Sequence, residues 1–207
     1  MKTKTMDERR IERLVATAKD SLKDHVIRSE GERFVEIGAP GDCNMQCMLA
    51  FGLGHLAVFG DNNPVVFAYY NDSGGITGAI RWMSCDNLSY VRKKATIGMT
   101  HLGTKVFDLE IARAEADDHA AEALREGSRL VAARWTEIAK RLRNNDEWTE
   151  QQAHEMAYGV LGDSELFDDL GIVVSERVVW AWMLVRKANE LLRLRDAERG
   201  GPGATSA

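Results

Sequence analysis

Three short apolar segments, separated by turns, constrain the fold of this chain more than any other feature. The apolar segments are residues 45–51, 55–59 and 65–70, and the turns between them are residues 52–54 and 60–64. The turns are rich in Gly, Asn, Asp and Pro, which favour chain reversal. A parallel crossover needs about a dozen residues, so segments joined by such short connections must run antiparallel. With a strand predicted at residues 33–37, they form an antiparallel meander of about four strands over residues 33–70.

Helical patterns lie on both sides of the meander. Apolar side chains recur at three- and four-residue steps over residues 6–29, which predicts an amphipathic helix. The second half of the chain repeats that spacing, with N-caps predicted at Asp86 and Asp108. The predicted helices there are residues 76–84, 87–94, 109–143 with a break near Gly127, 150–161 and 175–198. The fold class is therefore α+β: a small meander packed with an N-terminal helix and a helical C-terminal half.

Length and composition predict a single domain. The chain has 207 residues, of which 44% are hydrophobic and 29% charged. This balance is typical of a folded protein with a core of its own. We therefore expect one α+β domain over residues 1–198. Residues 199–207 are mostly small, and they predict a disordered tail.

The formal net charge of −5 limits the classes of partner. Direct binding of nucleic acid is disfavoured, because neutralising phosphates requires an excess of Lys and Arg. Mild acidity instead suits a protein that meets basic surfaces on other proteins. The sequence therefore favours a protein partner.

Cysteine usage and hydropathy predict the compartment. Three cysteines are too few for a disulfide framework, and their odd number favours a reducing environment. The first residues contain no apolar signal segment, and no apolar stretch nears the roughly 18 residues of a membrane span. We expect a cytoplasmic protein of the host cell that makes no membrane contact.

The cysteines also raise the question of a metal site. Cys43, Cys47, Cys85 and His101 could supply four zinc ligands. Their spacing lacks the paired knuckles of structural zinc sites, so we expect Cys47 to pack inside a strand and Cys43 to lie in a loop. No motif in the sequence predicts a metal or another cofactor.

His55 and Asp61 are the candidates for catalysis. A His–carboxylate pair is the basis of general-base chemistry, and Asp42 or Asp72 could assist from neighbouring turns. His55 begins the second apolar segment, however, and Asp61 follows it, so the strand holds them roughly 16 Å apart. A structural role for each in its own turn is the favoured interpretation, and an enzyme is the less favoured one.

An acidic stripe runs along the helix predicted at residues 109–143. Glu115, Asp118 and Glu122 recur at three- and four-residue steps, so their carboxylates share one face. A solvated face is the favoured interpretation. The alternative is a protein-binding surface that imitates nucleic-acid phosphates and occupies a basic groove. Three arginines in the same segment weaken that alternative.

The last predicted helix is apolar on all sides for two turns. Residues 178–185 are all apolar and include Trp180 and Trp182. Such a helix is either central to a core or buried by a second chain. Burial in the core is the favoured interpretation, and a partner or homodimer surface at the two tryptophans is the alternative.

Part of the sequence resembles a group of small phage and prophage proteins. The shared features begin with the turn Pro40-Gly41 and an apolar strand at residues 48–51. A Gly-His-Leu-x-x-x-Gly-Asp hairpin follows at residues 54–61. The segment Asn87-Leu88-Ser89-Tyr90, leading into Lys93-Lys94, is similar to an Asn-x-Ser-Tyr segment of the group. The resemblance covers about residues 33–95.

The resemblance implies a phage or mobile-element origin and an accessory role, and it carries over no catalytic residues. The leading hypothesis is a protein that binds and inhibits a host defence complex, such as a CRISPR–Cas effector, in the manner of an anti-CRISPR protein. Two alternatives stay open. One is an enzyme acting on a nucleotide or nucleic acid through His55 and Asp61, and the other is a homo-oligomeric assembly protein.

Overall fold

A computed structural model gives the fold and describes residues 6–41, 46–60, 64–69, 74–97, 105–162 and 170–199. Within these ranges the protein is α+β, with seven helices, a six-stranded antiparallel sheet and a two-stranded sheet. The helices are α1 (Met6–Ser21), α2 (Gly75–Met83), α3 (Leu88–Lys94), α4 (Leu109–Arg125), α5 (Arg129–Arg143), α6 (Glu150–Leu161) and α7 (Glu176–Arg199). The strands are β1 (Val26–Gly31), β2 (Phe34–Gly38), β3 (Cys47–Gly52), β4 (His55–Phe59), β5 (Val65–Ala68), β6 (Ala95–Ile97), β7 (Lys105–Phe107) and β8 (Ile172–Val174).

Contacts group the chain into two compact units. The helical unit comprises the described parts of residues 1–10 and 105–173, and the sheet unit comprises those of residues 11–104 and 174–207. The single domain over residues 1–198 stays a prediction. The tail predicted from residue 199 lies outside the described residues, except for Arg199, which ends α7.

The sheet confirms the predicted antiparallel meander but is larger than predicted. Strands β2 to β5 lie within two residues of the four predicted segments. Each of the six strands β1 to β6 pairs with the next one along the chain. The prediction of about four strands over residues 33–70 was therefore too small, because β1 and β6 extend the sheet at its two edges.

Strand β1 occupies residues that were predicted as the end of the first helix. α1 ends at Ser21, and Val26–Gly31 pairs antiparallel with β2. A bulge interrupts the ladder between Ile27 and Ser29. The helical prediction to residue 29 was wrong because Val26 lies four residues after Leu22 and so continues the helical spacing. Val26 and Ile27 are β-branched, and pairing with β2 stabilises them more than one further turn of helix would.

Strand β6 was missed because it is too short to show a period. Its three residues follow α3 directly and pair with Val65, Val66 and Phe67 of β5. Three residues are too few to show the alternation of apolar and polar side chains that marks a strand, so only the pairing with β5 identifies β6.

Helix α7 packs on one face of the sheet, which we call the inner face. The helix contacts β1, β4 and β5, and α2 and α3 pack beside it. Strands contribute a buried row of aliphatic and aromatic side chains, which are Val35, Ile37, Leu49, Phe51, Leu56, Val58, Val65 and Phe67. Val178, Val179 and Val185 of α7 are buried against this core. The prediction that residues 178–185 are central to a core is confirmed.

One predicted helix cap is displaced by a single residue. The Asn87 side chain accepts a hydrogen bond of 2.9 Å from the Tyr90 amide and caps α3. Asp86, which was predicted as the cap, instead pairs with Arg186 at 2.8 Å. Asp86 therefore forms an ion pair with Arg186 of α7, and the neutral side chain of Asn87 caps α3.

Three helices and a small core form the helical unit. α5 packs against both α4 and α6, around a buried core that includes Trp135, Ile138 and Leu142. The predicted break near Gly127 and the predicted cap Asp108 are confirmed, since α4 ends at Arg125 and the Asp108 carboxylate accepts from the Ile111 amide at 3.1 Å.

Arg113 of α4 joins the ends of two helices in this unit. Its guanidinium donates to the carbonyl of Leu142 near the end of α5, at 2.9 Å and 3.1 Å. The same group pairs with the Asp146 carboxylate at 2.6 Å, and this hydrogen bond is the main cause that raises the pKa of Arg113. A cation at the C-terminal end of a helix stabilises it in two ways. It donates hydrogen bonds to carbonyls that have no partner within the helix, and its positive charge interacts favourably with the helix dipole.

Replacing Gly171 by alanine is expected to destabilise the helical unit. Gly171 has a φ of +69°, and an added Cβ would lie 2.7 Å from the Ala112 Cβ and 3.0 Å from the Asp108 carbonyl oxygen. Backbone strain and overpacking together predict a loss of about 2–4 kcal/mol in the free energy of unfolding. Urea denaturation measures it.

Gly127 offers a matched control for that change. Its φ is +80°, yet an added Cβ would meet nothing within 4 Å. Gly127→Ala therefore carries the strain without the clash and is expected to cost about 1 kcal/mol. Equal losses for the two variants would contradict the packing described at Gly171.

Candidate functional site

The face of the sheet opposite α7, which we call the outer face, is largely apolar. Strand register aligns its side chains in rows that cross the sheet. One row consists of Phe34, Ala50, Ala57, Val66 and Thr96. The next row contains Glu36, Met48 and Phe59, and a third contains Gly52, His55 and Ala68. Small residues therefore lie at the centre, with larger ones around them.

The largest apolar side chains of the outer face are exposed. Phe34, Met48 and Phe59 retain 37%, 41% and 38% of their accessible surface. Ala50 and Ala57 between them are half-buried. Three large neighbouring apolar groups left this exposed mark a surface that gains free energy when it is covered.

Sequence reasoning missed the outer face, although the strands carry a signal for it. A strand with one solvated face alternates apolar and polar residues, whereas β3, β4 and β5 are apolar at nearly every position. Continuous apolar strands indicate burial on both faces. Candidate catalytic roles were instead assigned to His55 and Asp61, at the ends of a predicted strand.

A groove of about 1040 Å³ lies in the sheet unit beside α7. Its walls come from the ends of α1 and α2 and from α7 between residues 183 and 194. Six of the lining side chains are cationic, namely Lys19, Lys23, Arg81, Arg186, Lys187 and Arg193. Two are anionic, Asp86 and Glu190, so the groove has an excess of four positive charges.

Half of these cations are held by partners within the protein. Lys23 lies 3.1 Å from the Asp20 carboxylate, and this hydrogen bond is the main cause that raises the pKa of Lys23. Arg186 pairs with Asp86, and Lys187 lies 3.3 Å from the Glu190 carboxylate.

The other three cations of the groove are Lys19, Arg81 and Arg193. All three are exposed, and none of them forms an ion pair with a carboxylate in the described ranges. Their charges are therefore compensated mainly by solvent, which leaves them available to an anion.

A smaller apolar pocket of about 430 Å³ adjoins the groove and shares Lys19 and Asp86 with it. Its lining is mostly aliphatic and aromatic, and includes Ile11, Val15, Leu88 and Trp182. Arg186 lies with its guanidinium carbon 4.9 Å from the centre of the Trp182 ring, where cation–π attraction holds it.

The structure places His55 at the start of β4, in the turn after β3. The side chain is exposed, and its Nδ1 lies 2.7 Å from the Leu53 carbonyl oxygen. This contact is local to the hairpin, and the role of His55 stays a prediction. Asp61, Asp42 and Asp72 lie outside the described residues.

The three acidic residues of the predicted stripe differ in their surroundings. Glu115 is half-buried, and its carboxylate accepts a hydrogen bond of 2.7 Å from the Gly171 amide. Asp118 and Glu122 are exposed on α4. The stripe is therefore a pair of solvated carboxylates beside one that ties α4 to the segment before β8.

The two tryptophans of α7 are also placed differently. Trp182 is buried, and its indole N–H donates to the Cys85 carbonyl oxygen at 3.1 Å. Trp180 is half-buried and packs against the same core. The acidic residues and the tryptophans belong to different units, α4 to the helical unit and α7 to the sheet unit.

The cysteines do not assemble a metal site in the part of the chain that is described. Cys47 begins β3, Cys85 lies between α2 and α3, and both side chains are half-buried. No group of three metal-ligating side chains occurs among the described residues. Cys43 and His101 lie outside them.

Removing the Glu115 carboxylate is expected to destabilise the helical unit. Glu115→Ala leaves the amide of buried Gly171 without its acceptor, which predicts a loss of about 1–3 kcal/mol in the free energy of unfolding. Asp118→Ala and Glu122→Ala are the controls, because both side chains are solvated, and each should change stability by less than about 0.5 kcal/mol. Chemical denaturation of the three variants measures this difference, and three equal losses would contradict it.

Neither the hydropathy of the described helices nor comparison with known proteins adds to these features. Across the described ranges, no helix combines the length and the apolar character needed to cross a bilayer. No protein-family model, curated protein or solved structure matches the chain. Functional interpretation therefore depends on the outer face and the basic groove.

Proposed function

We propose that this protein acts by binding proteins rather than by catalysis, and that two copies associate through the outer faces of their sheets. The observation that carries the proposal is the exposure of Phe34, Met48 and Phe59 around the small residues Ala50 and Ala57. Strands β3 to β5 are apolar on both sides, and a second copy supplies the cover for the outer face.

A second copy fits the outer face because the face is complementary to itself. A two-fold axis between the sheets, parallel to the row from Phe34 to Val66, reverses the order of the neighbouring rows. Met48 of one copy then lies opposite Gly52 of the other, and Phe59 lies opposite His55. Met48 and Phe59 each meet a smaller or flat side chain, and Phe34 lies opposite Phe34 of the other copy.

The biological role in this proposal extends the phage or mobile-element origin and the accessory role that the resemblance implies. The protein is a phage- or mobile-element-encoded accessory factor that inhibits a host defence complex. Its net charge of −5 and the exposed pair Asp118 and Glu122 support a partner with a basic surface. Dimerisation would present two copies of that acidic surface and so strengthen binding to a repetitive or dimeric target.

Light scattering tests the dimer. The wild-type protein is expected to have twice the mass of the 23.1 kDa chain. Met48→Lys combined with Phe59→Lys should give a monomer, because four ammonium groups would have to be buried in the interface. Circular dichroism checks that the variant is folded.

A matched control separates the outer face from surface hydrophobicity in general. Leu124 and Leu130 of the helical unit are 60% and 67% exposed. Leu124→Lys combined with Leu130→Lys makes the same change in charge, and this variant should stay dimeric. A wild-type mass of one chain, or a control that dissociates equally, contradicts the proposed interface.

Phage plaquing tests the inhibitory role. Expression of the protein in hosts with a defined CRISPR–Cas system should raise the plaquing of a targeted phage. Asp118→Lys combined with Glu122→Lys should abolish that effect without loss of fold, because both side chains are solvated. Unchanged plaquing with wild-type protein in each system tested would count against the inhibitory role, and a fully active variant would remove the acidic surface from it.

A further inference from the structure

The basic groove beside α7 has more positive charge than the protein needs for its own ion pairs. Lys23, Arg186 and Lys187 are neutralised locally, while Lys19, Arg81 and Arg193 line the same cavity without described carboxylate partners. Cations near the ends of α1 and α2 favour those helix termini, but Arg193 lies well inside α7. Helix capping therefore does not account for the whole set.

The charge of the rest of the protein limits the length of the anion. The chain has a net charge of −5 and the groove has an excess of four positive charges, so the remaining residues total −9. A long polyanion would leave the groove and meet this negative surface, which repels it. A compact anion that concentrates several charges inside the groove avoids that repulsion.

The adjoining apolar pocket adds a second requirement. The groove is at the upper end of the range of about 300–1,000 Å³ that is typical of small-molecule sites. The pocket beside it is lined by Val15, Leu88 and Trp182, and it meets the groove at Lys19 and Asp86. A ligand that fills both has an anionic part joined to a flat or aliphatic part.

We infer that this paired cavity binds a nucleotide, with a polyphosphate in the basic groove and the base in the apolar pocket. Arginine forks bind phosphate oxygens in pairs, which suits Arg81 and Arg193. The aliphatic side chains of the pocket suit a planar ring, and Trp182 also lines the pocket. The site does not include the outer face, so it is independent of the proposed dimer.

Isothermal titration with ATP in low salt and EDTA tests the inference. EDTA removes divalent cations, so the phosphate charges face the protein alone. We expect saturable binding that weakens with added salt, as screening predicts. Arg81→Glu combined with Arg193→Glu should weaken ATP binding roughly tenfold or more, because two charge-assisted contacts become repulsive.

Two arginines away from the groove provide a matched control. Arg13 of α1 and Arg177 of α7 are exposed and do not line the groove. Arg13→Glu combined with Arg177→Glu makes the same change in net charge and should leave ATP affinity within about twofold of wild type. Equal weakening in both double variants, or no binding of ATP by the wild type, would overturn the inference.

Filling the apolar pocket tests the position of the base. Ala16 lines the pocket and its neighbour Thr17 does not, although both are exposed. Ala16→Trp should weaken ATP binding and leave the affinity for inorganic triphosphate unchanged, while Thr17→Trp should alter neither. Wild-type protein that binds inorganic triphosphate as tightly as ATP would overturn the assignment of the base.

Asp86 allows a test in the opposite direction. Its carboxylate lies at the junction of the two cavities and pairs with Arg186. Asp86→Asn removes a negative charge beside the phosphates and should strengthen ATP binding several-fold. Weaker binding by this variant would overturn the inference. So would a decaglutamate peptide that binds the wild type more tightly than ATP, since it would identify an acidic protein segment as the ligand.

Discussion

The sheet unit depends on the burial of α7 against the inner face of the sheet. Residues 178–185 of this helix are apolar on all sides, so they need cover from the sheet and from α2 and α3 at once. The part of α7 after residue 185 carries Arg186, Lys187 and Arg193, which form one wall of the groove. One helix therefore determines where the core lies and where the charges gather. Because α7 covers the inner face, the outer face is the side of the sheet that a second protein can meet.

The parts of the fold that sequence could predict are those with local signals. Tight turns identified β2 to β5, and the side-chain cap at Asp108 marked the start of α4. The strands β1 and β6 have no comparable signal. β1 continues the spacing of α1, and β6 is too short to alternate, so both exist through pairing with β2 and β5. Their contacts across the sheet decide the structure and leave little trace in local sequence.

The candidate sites were harder to predict because they combine distant segments. Lys19, Arg81 and Arg193 are each ordinary surface cations in the sequence, and only the packing of α1, α2 and α7 brings them to one cavity. Glu115 looked equivalent to Asp118, yet its contact with the Gly171 amide lies 56 residues away. The outer face was readable in principle from strands without alternation. The spacing of acidic residues along one helix was a weaker guide to a binding surface, since it does not show which carboxylates accept hydrogen bonds within the protein.

The two edges of the sheet bear on how copies of this protein can associate. β1 forms one edge, where it is bent by its bulge and carries the charged residues Arg28 and Glu30. β6 forms the other edge and offers only three residues for pairing. Both features oppose the addition of a further strand. Growth along the hydrogen-bonding direction, the route to fibrils, is therefore disfavoured at both edges of the sheet.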